Sequence, residues 1–156
     1  MEQVSQALYK ALRDDSEATN GIRALLGNTT ANPYNCYFGS FPESFDFSPS
    51  GGAKGLLVYS MVSCVRDTEF RGPAAMVAEL LYDVTVYARA ESTVESAQRR
   101  VNVRLQDKRF ITAPTSQAVI QNVKLDNIHA VEWDDAWRVY HQTATYRVWA
   151  RDDNTL

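Results

Sequence analysis

The sequence predicts an α/β (α+β) domain: a mainly antiparallel, twisted sheet packed by an N-terminal helix and a middle helix, with a long aromatic loop between them. Three observations lead there. Val4, Ala7, Leu8, Ala11 and Leu12 recur at three- and four-residue intervals, the spacing of one helical face. Val94, Ala97, Val101 and Leu105 repeat that spacing in the middle of the chain. Near the end, Tyr140, Ala144, Tyr146, Val148 and Ala150 share one parity and Arg147, Trp149 and Arg151 the other, as in a strand with one buried face. A chain of 156 residues suffices for one globular domain and is short for two, so residues 1–156 are expected to form a single domain.

Taken in order, the first helix carries Lys10 and Arg13 near its C-terminal end, where they suit the helix dipole. Residues 16–27 predict a second, short helical segment with Ile22, Leu25 and Leu26 as its apolar face. Gly27 suits the residue just past its end, because glycine accepts a left-handed backbone without a Cβ penalty. Residues 28–55 are different. Pro33, Pro42, Pro49, Gly39, Gly51, Gly52 and Gly55 argue against a regular element. Tyr34, Tyr37, Phe38, Phe41, Phe45 and Phe47 argue against a plain solvated linker, since such side chains gain much by burial. The segment is read either as a cap on its own sheet or as an arm onto a neighbouring chain, and these six aromatics are its interface candidates.

Strands are expected over residues 56–65 and 75–90, the second through the alternation of Tyr82, Val84 and Val86 with Asp83 and Thr85. Residues 66–73, with Gly72 and Pro73, read as a loop between them. Ser92 and Glu95 match the S-x-x-E capping box, which predicts a helix over residues 93–107. Pro114 interrupts the segment after that helix. Residues 119–129 alternate loosely and 138–151 strictly, with a turn over Trp133–Trp137 that includes Asp134 and Asp135, so the two are expected to pair as an antiparallel hairpin.

The chemistry is sparse. Lys and Arg total 16 against 19 Asp and Glu, which excludes a globally basic nucleic-acid surface. No apolar run approaches the roughly 18 residues of a membrane span, and the opening Met1-Glu2-Gln3-Val4 has no basic cluster, so neither a membrane segment nor a signal peptide is expected. Cys36 and Cys64 form no disulfide framework, and with His129 and His141 they give no metal-ligand spacing, so no cofactor or metal is expected. The stretch from Ser50 to Gly55 only superficially resembles a phosphate loop and no helix comes after it. His129 and His141 lie close in sequence to Glu132, Asp134 and Asp135, residue types that permit acid–base work, but nothing in the spacing organises a site, and no catalytic residue is assigned. Arg99, Arg100 and Arg104 form a basic face suited first to a protein partner, with Asp14, Asp15, Glu17, Asp134 and Asp135 as candidate acidic counterparts on a neighbouring subunit, and with ordinary solvation or nucleic-acid phosphates as the alternatives. Trp133 and Trp137 are candidate interface anchors, because tryptophan buries a large area with little entropy loss.

The order of these pieces resembles the tail terminator, or tail completion, proteins of long-tailed bacteriophages. The resemblance runs from about Val4 to Arg151 and rests on V-S-Q-A-L-Y-K-A-L at Val4, Y-D-V-T-V-Y-A at Tyr82 and A-T-Y-R-V-W-A at Ala144. Residues 28–55 are longer and more aromatic than that family's compact pattern, and residues 67–73 add a loop. The resemblance implies a structural virion protein without enzymatic activity. It would form a homo-oligomeric, six-membered ring at the head-proximal end of the tail tube. Its partners would be the tail tube protein and the head–tail connector, with DNA passing through the lumen without specific binding. It would be assembled in the host cytoplasm and located at the head–tail junction of the virion. A head–tail joining protein bound to the head-side connector is the alternative.

Overall fold

The computed structural model describes residues 2–15, 17, 19–27, 36–40, 45, 47, 54–66, 76–111 and 118–152. Tyr34, Phe41, Pro114 and the loop expected at 67–73 lie outside the described residues, as does most of the aromatic segment. The chain runs through α1 (Glu2–Arg13), α2 (Ile22–Leu25), β1 (Cys36–Phe38), β2 (Gly55–Arg66), β3 (Met76–Ala88), α3 (Glu91–Leu105), β4 (Phe110–Ile111), β5 (Ala118–Ile128), β6 (Glu132–Asp134) and β7 (Val139–Asp152).

Among the described residues the strands make one seven-stranded sheet in the order β1-β2-β3-β7-β5-β4, with β6 also paired to β7. The pairings are antiparallel except β1 on β2, which is parallel. The fold is thus α+β. Both helix stripes read from the sequence face the core. Val4, Ala7, Leu8, Ala11 and Leu12 of α1 are buried, as are Val94, Ala97, Val101 and Leu105 of α3. They pack on one sheet face, against Leu57 and Tyr59 of β2, Leu80, Tyr82, Val84 and Val86 of β3, and Ala144, Tyr146 and Val148 of β7. Helix α1 meets β1 at one end of the strand order and β4 and β5 at the other, so the sheet curls around it.

The expected hairpin is present: β5 pairs with β7 from Ile120↔Ala150 to Ile128↔Ala144. Its looser alternation has a cause. The register shifts between Ile120 and Asn122 and again between Leu125 and Asn127, so Gln121 and Asp126 are extra residues that reset the parity. A third bulge, between Met61 and Ser63, leaves Val62 outside the ladder and 59% exposed. Gly27 does lie just past the end of α2, with φ 72°.

Several expectations are refined or corrected. The short helical turn expected within residues 16–27 is located at Ile22–Leu25. Helix α3 starts at Glu91, with Ala90 as its N-cap, so Ser92 sits inside the first turn and caps nothing. The S-x-x-E pattern misled because the chain leaves its extended conformation earlier, at Ala90 (φ −109°, ψ 129°). The strands β1 and β4, three and two residues long, are too short to leave a periodic signal. The turn expected from Trp133 is narrower, because Trp133 pairs with Tyr140 as part of β6.

Candidate assembly surfaces

The first surface is a groove beside α1. Ser5 sits between two strand tyrosines: its Oγ is 2.9 Å from the Tyr82 hydroxyl, and its backbone oxygen accepts from the Tyr59 hydroxyl at 3.3 Å. These bonds pin α1 on β2 and β3 and leave the Tyr9 ring stacked at 6.5 Å on Tyr59, with the Arg13 guanidinium 5.3 Å from the Tyr9 ring centre. Strand β1 then brings Phe38 alongside Tyr59, ring to ring at 5.2 Å, yet 58% exposed. Between these groups lies a cavity of about 460 Å³ walled by Tyr9, Phe38, Tyr59 and Met61, with Ser5, Gln6 and Tyr82. All of these side chains are uncharged.

The second surface is the turn between β6 and β7. The Asp134 carboxylate accepts from the backbone N–H groups of Ala136 and Trp137 at 2.9 and 3.1 Å, which folds the turn on itself. Arg138 closes it with φ 55°. The Trp133 indole donates to Asp135 at 2.6 Å and meets Tyr140 edge-on at 4.8 Å. Both tryptophans remain well exposed, Trp133 at 47% and Trp137 at 40%. The turn therefore holds two large apolar rings in water on a locally braced backbone.

The arginine face divides. Arg100 donates from Nε and Nη2 to the two Asp15 oxygens at 2.7 and 2.8 Å, and Nη2 also pairs with Glu17 at 2.6 Å. Arg104 reaches the backbone oxygen of Ala11 at 3.3 Å and Asp15 at 3.9 Å. Asp15 and Glu17 are thus acidic counterparts within the chain, and the cluster ties the α1–α2 connection to α3. Asp15 is buried and also accepts the N–H of Ile22 at 3.0 Å. Burial pushes its pKa up, but the hydrogen bonds from Arg100 and Ile22 and the charges of Arg100 and Arg104 outweigh that and hold it below the ordinary value. The same bond to Asp15 raises the Arg100 pKa. Arg99 is exposed and lines two shallow cavities of about 270 Å³ on either side of α3.

Of the aromatic segment, Phe47 is buried against Leu56, Val58 and Val139 on the sheet face away from the helices, and Tyr37 and Phe45 pack beside it. Phe45 and Phe47 meet edge to face at 4.6 Å, and Tyr37 and Phe45 at 6.4 Å. Phe38, the next residue along β1, is on the groove instead. The histidines are apart in role: the His129 ring is 3.3 Å from the Asn127 amide, whereas His141 lies over Tyr87 at 5.6 Å and is the register partner of Glu132. Burial raises the Cys36 pKa to about 12, which keeps it a thiol at neutral pH. Among the described residues no group of three or more His, Cys, Asp and Glu is placed to hold a metal ion, and no helix is long and apolar enough to cross a membrane. Sequence reasoning passed over Tyr9, Tyr59 and Met61, because nothing in their spacing says that α1 and the short β1 flank the same strand.

This architecture has a counterpart among solved structures. A chain of the virion of the native gene transfer agent (GTA) particle shares the fold. The superposition has a TM-score of 0.63 at 13% sequence identity and covers 96% of this chain and 95% of that one. No protein-family model and no curated protein sequence matches. At this identity the likeness is one of fold.

Proposed function

We propose that this protein is a structural component of a phage-like virion, and that it forms a ring closing the head-proximal end of a tail tube. The observation that carries the reading is the end-to-end likeness of fold to a chain of a virion particle, with almost nothing left over on either side. The element order that resembles tail terminators supports the finer assignment. So do two separate apolar surfaces, the α1 groove and the tryptophan turn, because a ring subunit has to satisfy a neighbour on each side. On this reading the chain acts by fit and not by chemistry. It stops tube growth by occupying the last ring position and offers a different surface to the connector.

Removing the gene and imaging the products tests both parts. Tubes of uncontrolled length without heads are expected. Tails of normal length beside filled, tailless heads would move the protein to the head-side connector. Particles indistinguishable from wild type, or wild-type particles in which this chain is absent from the head–tail junction, would overturn the reading.

A further inference from the structure

We propose that the tryptophan turn of one copy docks in the α1 groove of a second copy, seating Trp133 against Tyr9, Phe38 and Met61. The proposal rests on the reading of the chain as a self-assembling ring and names the two surfaces that meet.

Four observations carry it. The groove is apolar and open, about 460 Å³ with uncharged walls, which is room for an aromatic side chain and its neighbours. The turn supplies such side chains on a backbone already fixed by its own hydrogen bonds, so little conformational freedom is lost on docking. One pairing of opposite charge is on offer, between an acidic turn and Lys10. Glu132, Asp134 and Asp135 against Arg138 leave the turn acidic. On α1, Lys10 is exposed one turn from Gln6, and Arg13 over Tyr9 is balanced by Asp14, with which it pairs at 2.7 Å. Finally, the two surfaces sit on different sides of β7: the groove at α1 and β1 to β3, the turn at β6. Two unlike patches on one chain make a heterologous contact, and such a contact repeats from copy to copy and closes as a ring when its rotation permits. Tryptophan, tyrosine and methionine are also the residues that dominate protein interfaces.

A disulfide trap reads the contact even when association is weak. In a Cys36→Ala, Cys64→Ala background, one chain carries Ala136→Cys on the turn and a second carries Val62→Cys beside the groove. The control pairs Ala136→Cys with Val103→Cys on the exposed side of α3. On mild oxidation the turn–groove pair is expected to form linked dimers at least about tenfold faster than the control, the effect of a single anchoring side chain. Adding Trp133→Ser or Met61→Arg should return the rate to the control level, with circular dichroism confirming that each chain is folded. Equal rates for the two pairs would overturn the proposal, as would Val62→Cys chains linking mainly to one another, which would mean like-to-like pairing. The virion reading is judged separately by imaging. Particles that contain the chain without this cross-link would sink the docking alone, and a cross-link in a chain absent from particles would sink the virion reading alone.

Discussion

The two faces of the central sheet are built from the same strands and solve opposite problems. Toward the helices, Tyr82, Val84, Val86, Ala144, Tyr146 and Val148 are closed off from water. On the other face, the residues between them form a polar ladder. Thr85 meets Thr143 at 2.9 Å, Thr145 donates to Asp83 at 2.6 Å, and Arg147 bridges Glu79 at 2.9 Å and Asp126 at 2.7 Å. Among the described residues, a buried apolar cluster forms there where Phe47 covers Leu56, Val58 and Val139. One face gains stability through burial, and the other stays open to water because its polar groups satisfy one another across strands. Exposed large apolar side chains gather elsewhere, Phe38 and Met61 at the groove and Trp133 and Trp137 at the turn, with Val62, Val103 and Ile128 exposed singly.

The contrast can be broken most severely from the closed face. Tyr146→Ala should cost about 3–5 kcal/mol, since it empties a fully buried site in the middle of β7, and urea unfolding will read it. A loss below about 1 kcal/mol would mean that this face is not the core. Next comes the tie between α1–α2 and α3. Asp15→Ala should cost about 3 kcal/mol, the low end for a broken buried pair because Arg100 keeps 22% exposure. The Asp15 pKa is lower in the folded state than in the unfolded chain. Its contribution is therefore complete above the ordinary carboxylate pKa, about 4, and is lost as pH falls through the folded value. Asp15→Asn should accordingly flatten the acid limb of the stability profile, and an unchanged acid limb would reject the assignment.

The open face should respond less. Thr85→Val alone should cost about 1 kcal/mol by orphaning the Thr143 hydroxyl, whereas Thr85→Val with Thr143→Val should be close to neutral. Equal losses for the single and double variants would show that the ladder is not a set of pairs. The smallest effect belongs to Ser92→Ala, which should change stability by less than about 0.5 kcal/mol and in the favourable direction, because the position lies inside α3 and alanine is the better helix former. A loss of about 1 kcal/mol or more, the size of a missing cap, would restore the S-x-x-E reading.

The same physics decides how far the fold was legible. Long periodic elements declare themselves: the stripes of α1 and α3 and the parity of β7 needed no tertiary information. Asp126 illustrates what periodicity loses, since one bulged residue resets the alternation of β5 and is also what brings its carboxylate to Arg147. The surfaces were half legible. Trp133 and Trp137 stand out by residue type, and both are exposed. Arg100 and Arg104 stand out equally, yet they meet Asp15, which lies 85 residues from Arg100 in the sequence. Spacing along the chain carries no trace of such a meeting, nor of Tyr9 and Phe38 both packing on Tyr59.

The way α1 is held also sets an order of events. This helix leaves the ribosome before the strands it packs on. Its fastenings are to Tyr59, Tyr82 and Arg104, at separations of 54, 77 and 93 residues. Contacts that distant are slow to close, and until they close the apolar stripe of α1 lacks the sheet it settles on. A nascent chain stopped before α3 would lack the Arg104 fastening altogether. Helix α1 thus becomes secure well after it is made, and the groove beside it waits for Tyr82, the last of its walls along the chain.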